Sequence, residues 1–478
     1  MLNGGIMPRL IDILGIGRSG LFASQTGIHT AGHNISNANN DKYTRQRNSF
    51  KTNRPEIIRN GQLGQGIELE SVTRALDPLL ERQIVSQKSI LGEFSSQSSV
   101  LRDIEMYFNE NNGNSISKSM DKFFNSWREL SNNPSDTTLR MDVLEKSEQL
   151  TTMFHKDYNH IFDLQKGLNI DIKGKVDEIN QLTENIATLN KKIHGSESLP
   201  SNANDMRDQL DASVKRISEL IGVNVFTDEK GYTNILTSNG IPLVTGSDFN
   251  TLKGHISTNG LMEIHHIRPN GQETDITNII DSGELGGLIY VRDTTLEGYK
   301  TDLNQLAFEF TNQVNTIHQT GYDLNSTTGN NFFATLVSPA FAARDIDLSI
   351  AVLDNPDGIA TSSQLDINGN VVQGNNETAL NLINLQNSLT MNGNSQTFNQ
   401  YFRGLVYQIG NDKKENSSYI EVETSKEEQL NNFRESISGV SIDEEMIKVI
   451  EFQRSFEANS KIIKTTDQLL QIVLSLKQ

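Results

Sequence analysis

The stretch from Ser441 to Gln478 constrains this chain more than any other. Val449, Phe452, Phe456, Asn459, Ile463, Thr466, Leu470 and Val473 follow one another in steps of three and four. That alternation is the seam of an α-helix lying along a second helix. No Gly or Pro interrupts it. Ser441 and Asp443 stand where an N-cap belongs, and Glu444 and Glu445 suit the positive end of the helix dipole. At about 1.5 Å per residue the helix spans roughly 50 Å, so it needs a partner of similar length. The N-terminus supplies one: Leu10, Leu14, Gly17, Leu21, Ser24, Ile28, Ala31 and Ile35 also step by three or four. Gly17, Ser24 and Ala31 permit close approach. Periodicity leaves two readings open, a helix pair buried on an ordinary domain or a surface for self-association.

Composition narrows the function. The chain has 478 residues, a net charge of -18 and no basic cluster, which disfavours nucleic acid, since phosphate contacts need grouped Lys and Arg. A hydrophobic fraction of 35% suits an elongated molecule better than one compact globule. The absence of cysteine excludes disulfides, thiolate metal sites and a Cys nucleophile. No apolar run approaches the roughly 18 residues of a membrane span, and no signal-peptide pattern follows Arg9. Met7 is an alternative start to Met1, because the first six residues add nothing periodic.

Between the terminal seams, an Asn-rich run from Asn34 to Tyr43 ends the first helix. A non-helical stretch follows, and Gly66 to Val72 alternates as a strand does. Helices are expected from Pro78 to Phe108, Ile116 to Leu130, about Ser135 to His160, Leu164 to Ile193 and Asn204 to Leu220, with breaks at Asn109–Asn114 and Gly195–Ala203. Short alternating runs and turn glycines between Gly222 and Gly283 read as a small β domain inserted in a helical body. Helices resume from Leu285 to Thr320, then from Asn376 to Leu389, Thr397 to Gly410 and Ser417 to Ser438. The expected fold is mainly α with an inserted small β domain: an elongated multidomain chain with a terminal coiled coil and a long helix-bundle body. Its parts are 1–75 with 437–478 for assembly, 76–221 with 285–436 for the body, and 222–284 for the β domain, which faces outward.

No chemistry-bearing motif survives scrutiny. Gly15-Ile16-Gly17-Arg18-Ser19-Gly20 matches a dinucleotide-binding turn, but the helical seam passes through it without a change of phase. His155 and His160 are badly spaced for one helix face, and His265 and His266 point to opposite faces of a strand. Asp205, Arg207 and Asp208 read as a charged helix face rather than a site. The sequon at Asn376 means little without a secretory signal. No catalytic residue, cofactor or metal is expected, and an enzyme is the weakest of the function classes.

The run Ala31 to Asn39, with Asn34, Ser36, Asn37, Ala38 and Asn39 followed by Tyr43-Thr44-Arg45-Gln46, resembles the signature of the bacterial flagellar axial proteins. A Thr-Pro-Gly usual before the Tyr is replaced here by Asn40-Asp41-Lys42, of which Asn40 and Asp41 are expected to keep the turn. Further stretches resemble the hook-associated members of that family: Ala75 to Gln83, Asn133 to Asp136, Glu178 to Leu182, Asn185 to Asn190, Arg207 to Leu210, Gly283 to Leu288, His318 to Asn325, Ser438 to Glu445 and Phe452 to Asn459. The resemblance implies export through the flagellar type III apparatus without a cleaved signal, aided by a chaperone that grips the C-terminal region. It implies a ring of subunits between the hook protein and the second junction protein, with flagellin beyond. The termini would line the inner tube, fraying in the free subunit and ordering in the ring. A surface adhesin acting through the β domain is the second function class, and membrane insertion is not expected.

Overall fold

The structure, a computed structural model, describes residues 6–58, 61–109, 115–197 and 203–475. The breaks expected at 110–114 and 198–202, residues 1–5 and the last three positions lie outside them. Helix α1 (Ile6–Ser36) opens the chain, and the antiparallel ribbon of β1 (Gln46–Thr52) and β4 (Ile67–Arg74) follows, carrying the hairpin of β2 (Glu56–Ile58) and β3 (Gly61–Leu63). Only β4 carries a clear alternation. The other three strands were hidden because they bury too little to leave a pattern, as Ile57 and Leu63 show by being exposed.

The body comprises α2 (Pro78–Phe108), α3 (Ile116–Asn132), α4 (Thr137–Glu197), α5 (Asn204–Leu220), α6 (Gly283–Tyr290) and α7 (Leu296–His318). After an irregular stretch with the single turn α8 (Ala342–Asp345) come α9 (Glu377–Leu385) and α10 (Phe398–Ser438); α11 (Ile442–Ser475) closes the chain. The starts are written in the sequence. Asp77 accepts from Leu79 N at 2.8 Å with Pro78 at the first helical position, Asp136 accepts from Thr138 N at 2.8 Å, and Thr397 and Gln400 form a capping box.

Two expected breaks are absent. Helix α4 runs unbroken for 61 residues, past His160 and past Gly195, because Phe154, Tyr158, Ile161 and Leu168 keep one buried stripe in phase. Helix α10 likewise continues through Gly410. A mid-helix glycine costs only about 1 kcal/mol, and polar contacts to α2 hold the far half: Asn416 Nδ2 donates to Phe94 O at 3.1 Å, and Gln87 Nε2 donates to the Glu423 carboxylate at 2.7 Å.

The strands of 223–275 form two antiparallel meanders. One is β5 (Val223–Thr227), β6 (Thr233–Thr237), β7 (Pro242–Thr245) and β8 (Asp248–Phe249); the other is β9 (Thr251–Ile256), β10 (Met262–Ile267) and β11 (Glu273–Asp275). Three asparagines about three turns apart on α4 hold them. Asn190 Nδ2 donates to Thr233 O at 2.7 Å while its Oδ1 accepts from Thr233 N at 3.1 Å. Asn180 makes the same two-point contact with Leu252, both bonds at 2.8 Å. Asn169 spans Gly260 O and Met262 N at 2.8 and 2.9 Å.

At the other end of the body, Phe123, Phe124, Trp127, Phe310, Phe332 and Phe333 form a buried aromatic cluster, with edge-on pairs such as Phe123 and Phe310 at 5.4 Å between centroids. Beside it, fully buried Arg140 donates to the carbonyls of Pro134 and Ile359 at 2.8 and 2.7 Å. Burial pushes its guanidinium down to about 10, against the pull of Asp357 and Asp323, so it stays charged at neutral pH. His318 is wholly buried. Its Nδ1 is 2.8 Å from Asn330 O, and its Nε2 accepts from Ala360 N at 2.9 Å, which fixes a neutral ring with the proton on Nδ1.

Burial pushes His318 down to about 4, so the unfolded chain takes a proton near pH 6.5 that the folded chain refuses. The folded state is unpenalised above pH 6.5 and loses stability as pH falls from there towards 4. Over that window the loss amounts to about 3 kcal/mol. Between pH 7 and pH 4 the wild type should lose about 3 kcal/mol more stability to denaturant than His318→Gln, whose position 318 cannot titrate.

Candidate functional site

The two terminal helices lie antiparallel, and their register runs from Gly17 beside Ile463 to Asn34 beside Glu445. Every residue of the C-terminal seam faces the pair. Val449, Phe452, Phe456, Asn459, Ile463, Leu470 and Val473 are half-buried and Thr466 is buried, while the rest of the described α11 beyond Lys448 is exposed. On α1 the seam is shifted from expectation. Leu10, Gly17, Ser24 and Ala31 are buried, but Leu14, Leu21, Ile28 and Ile35 are only half-buried flanks.

The contact line instead runs Gly17, Gly20, Ser24, Gly27, Ala31 and Asn34. A Cβ on Gly20 would sit 2.5 Å from Asn459 Oδ1, and one on Gly27 would sit 2.6 Å from the Phe452 ring. Ser24 Oγ donates to Ser455 Oγ at 3.1 Å. Glycine carries no transfer energy, so a search for apolar steps passes over it, although the three-and-four spacing was there to be read. The Gly15 to Gly20 motif therefore lies inside an unbroken helix, with Gly17 and Gly20 committed to α11.

Where the pair meets the body, Asn34 is fully buried and uses its whole amide. Nδ2 donates to Gln46 O and to Glu445 Oε2, both at 2.9 Å, and Oδ1 accepts from Gln46 N at 2.9 Å and Tyr43 OH at 2.7 Å. Burial pushes the Tyr43 phenol well above its ordinary range, and Asp205, Asp208 and Glu445 add to it. Arg45 reaches both Glu445, Nε to Oε1 at 2.9 Å, and Glu444, Nη2 to Oε2 at 2.7 Å. Burial pushes the Glu445 carboxyl up, but Asn34, Lys448 and Arg45 outweigh it and hold it below the usual carboxylate range. Arg45 N also donates to Ser438 O at 3.0 Å.

Of the signature residues, Asn34 and Tyr43 come together, and Asn37 closes the turn through its N–H to His33 O at 3.2 Å. Among the described residues Ser36 bonds only its own helix; Ala38 stays in the turn and Asn39 is exposed. In the replaced segment Asn40 keeps the turn by accepting from Tyr43 N at 2.9 Å, whereas Asp41 is exposed.

Asp205, Arg207 and Asp208 do more than form a charged face, although Asp205 itself stays exposed. Asp208 is buried and accepts from Thr44 N at 3.1 Å and Arg74 Nη1 at 2.9 Å. Asp205 accepts from Gln46 Nε2 at 2.9 Å, and Arg207 pairs with Glu197. The start of α5 is thus the socket that receives the N-terminal segment. Sequence alone could not show this, because the partners lie more than a hundred positions away.

Residues 101–333 match the flagellar hook-associated protein FlgK helical domain, and residues 434–476 match the flagellar basal body rod FlgEFG protein C-terminal family. Flagellar hook-associated protein 1 of Bacillus subtilis is 26% identical over 493 residues, covering 96% of both chains. The protein of that name from Escherichia coli is 25% identical over 543 residues, covering 96% of this chain and 98% of its own. Among solved structures, the flagellar hook junction protein FlgK from Burkholderia pseudomallei superposes with a TM-score of 0.66 over 74% of this chain and 100% of its own, at 16% identity, a likeness of fold.

Two substitutions separate a contact glycine from a free one. Gly32 has open space where a Cβ would go, so Gly32→Ala should stabilise α1 by about 1 kcal/mol. Gly27→Ala must displace the Phe452 ring and should destabilise the pair by about 1–3 kcal/mol despite the same gain in propensity. Hydrogen exchange along α1 reads both.

Proposed function

The chain belongs to the family of flagellar hook-associated protein 1, and from that premise we propose that it is a structural subunit of the bacterial flagellum. It forms the junction ring between hook and filament by polymerising through its two terminal helices. One observation carries the mode of assembly. Eight large apolar side chains along α11, from Ile442 and Met446 to Ile472 and Leu474, are at least 41% exposed, and Ile11 and Phe22 of α1 are about 60% exposed. An apolar surface of that extent on a helix pair marks an interaction face.

The energetics agree. Ordering a residue costs about 1–2 kcal/mol of backbone entropy, and a large apolar side chain returns about 1.5–3 kcal/mol only when fully buried. Most of the α11 seam is half-buried in the single chain, so the pair stands near balance. Neighbouring copies in a tube would cover the remaining flanks and turn the balance favourable. We assign no catalytic role, in keeping with relatives that are structural flagellar proteins.

The same reading divides the chain into 1–75 with 437–478 as the assembly part, 76–221 with 285–436 as the body and 222–284 as the outer β domain. Its partners are further copies of itself, the hook protein on one side, the second junction protein on the other and flagellin beyond. Before assembly the exposed flank of α11 needs cover, which suits an export chaperone gripping the C-terminal region. Export would proceed without a cleaved signal. Among the described residues no helix is long and apolar enough to cross a membrane.

A deletion strain viewed under low shear should show bare hooks, with flagellin lost to the medium; normal filaments would refute the junction role. Ile463→Asp puts a charge into the seam beside Gly17. It should leave the body folded by circular dichroism and abolish incorporation, and motile cells carrying it would count against the assembly mode. Hydrogen exchange in α1 and α11 should be fast in the free subunit and slow in the assembled ring.

A further inference from the structure

The outward face of the second small sheet carries side chains that the assembly role does not use. Side chains alternate along a strand, so Lys253 and His255 of β9, Glu263 and His265 of β10, and Glu273 and Asp275 of β11 share one face, while Leu252, Met262 and Ile264 are buried beneath it. Glu263 is paired across from His255, and Asp275 across from His265. The two imidazoles meet edge to face with centroids 4.5 Å apart. His255 Nε2 lies 3.2 Å from Glu273 Oε2, His265 Nδ1 lies 4.0 Å from the same oxygen, and His265 Nε2 lies 3.6 Å from Glu263 Oε2.

These approaches are close without being hydrogen bonds. The Nε2 atoms of both histidines are shielded from solvent and have no hydrogen-bond partner among the described residues. In either tautomer each of these nitrogens lacks both water and a hydrogen-bond partner. Ligand atoms of His255, His265 and Glu273 all lie within 4.8 Å of one another. Donors around a tetrahedral zinc ion stand about 3.4 Å apart at zinc–ligand distances of about 2.1 Å, so small side-chain rotations close the set.

We infer that this face is a site for a divalent transition-metal ion of the zinc class, held by His255 Nε2, one ring nitrogen of His265 and a carboxylate oxygen of Glu273. Glu263 takes the remaining ring N–H of His265 and orients it, as carboxylates do behind metal-bound histidines. Two imidazoles select zinc-like ions over Ca²⁺ and Mg²⁺, which prefer oxygen. The three ligands come from three successive strands, so the ion staples β9, β10 and the three-residue edge strand β11. The sequence hid the set because its members become neighbours only through strand register.

The test uses the full-length, untagged chain stripped with chelator and titrated calorimetrically at pH 7.5 with ZnCl₂ and, separately, CaCl₂. One Zn²⁺ per chain is expected, with affinity falling roughly tenfold or more in His255→Ala, His265→Ala and Glu273→Gln. His29→Ala, on an exposed position of α1, should bind as the wild type does. The substituted side chains stand on the outer face of the sheet, so these variants should keep the wild-type circular dichroism spectrum. Zn²⁺ should also slow hydrogen exchange in β11 of the wild type only. Failure of the wild type to bind Zn²⁺, binding that survives the His255→Ala, His265→Ala double substitution, or Ca²⁺ bound as tightly would each overturn the site.

Discussion

The architecture depends on one repeated interaction: an asparagine amide, buried or half-buried, that pairs with the N–H and C=O of another segment's backbone. Asn34 does this with Gln46, Asn180 with Leu252 and Asn190 with Thr233. Asn315 does it with the Phe332–Phe333 corner, donating to Phe333 O and accepting from both amides. A helix cannot extend a sheet, because its own backbone groups are spent internally. The side-chain amide supplies the missing donor and acceptor, so a short strand can dock edge-on against a helix without leaving polar groups orphaned. This adds polar fixing to the apolar contacts by which Ile235, Leu243, Val244 and Ile264 of the small sheets join the core of the helical body.

Polar fixing of that kind has a counterpart in the terminal pair, where fixing is steric. The line of Gly17, Gly20, Ser24, Gly27 and Ala31 lets α11 approach until Phe452 and Asn459 fill the space that side chains of α1 would otherwise take. Close approach there leaves the larger residues of both helices on the flanks. One choice of small residues thus creates the contact within a chain and leaves the apolar surface that lies outside it.

The sequence made the long-range plan readable wherever period and punctuation agreed. The α11 seam, the Pro78 start and the β insertion between Gly222 and Gly283 were all visible because apolar spacing and turn residues reinforced one another. Reading failed in two physical circumstances. Loop-like composition was overridden around His160 by a buried stripe that continued through it and around Gly410 by polar contacts to α2, since tertiary packing outweighs local propensity. The socket of Arg74, Thr44 and Asp208, and the contact line through Gly20 and Gly27, depend on partners distant in the chain or on residues whose contribution is absence of volume. No local pattern encodes either.

Two covalent strands cross from the body to the terminal pair, one after Ser36 and one through 439–441, and Arg45 ties them together through Ser438 O and Glu445. A lone linker would swivel. Two crossings braced against each other resist rotation about their common axis, so a twist applied to the body is carried to α1 and α11 as torque. A subunit built this way is a rigid coupling, suited to a shaft that turns.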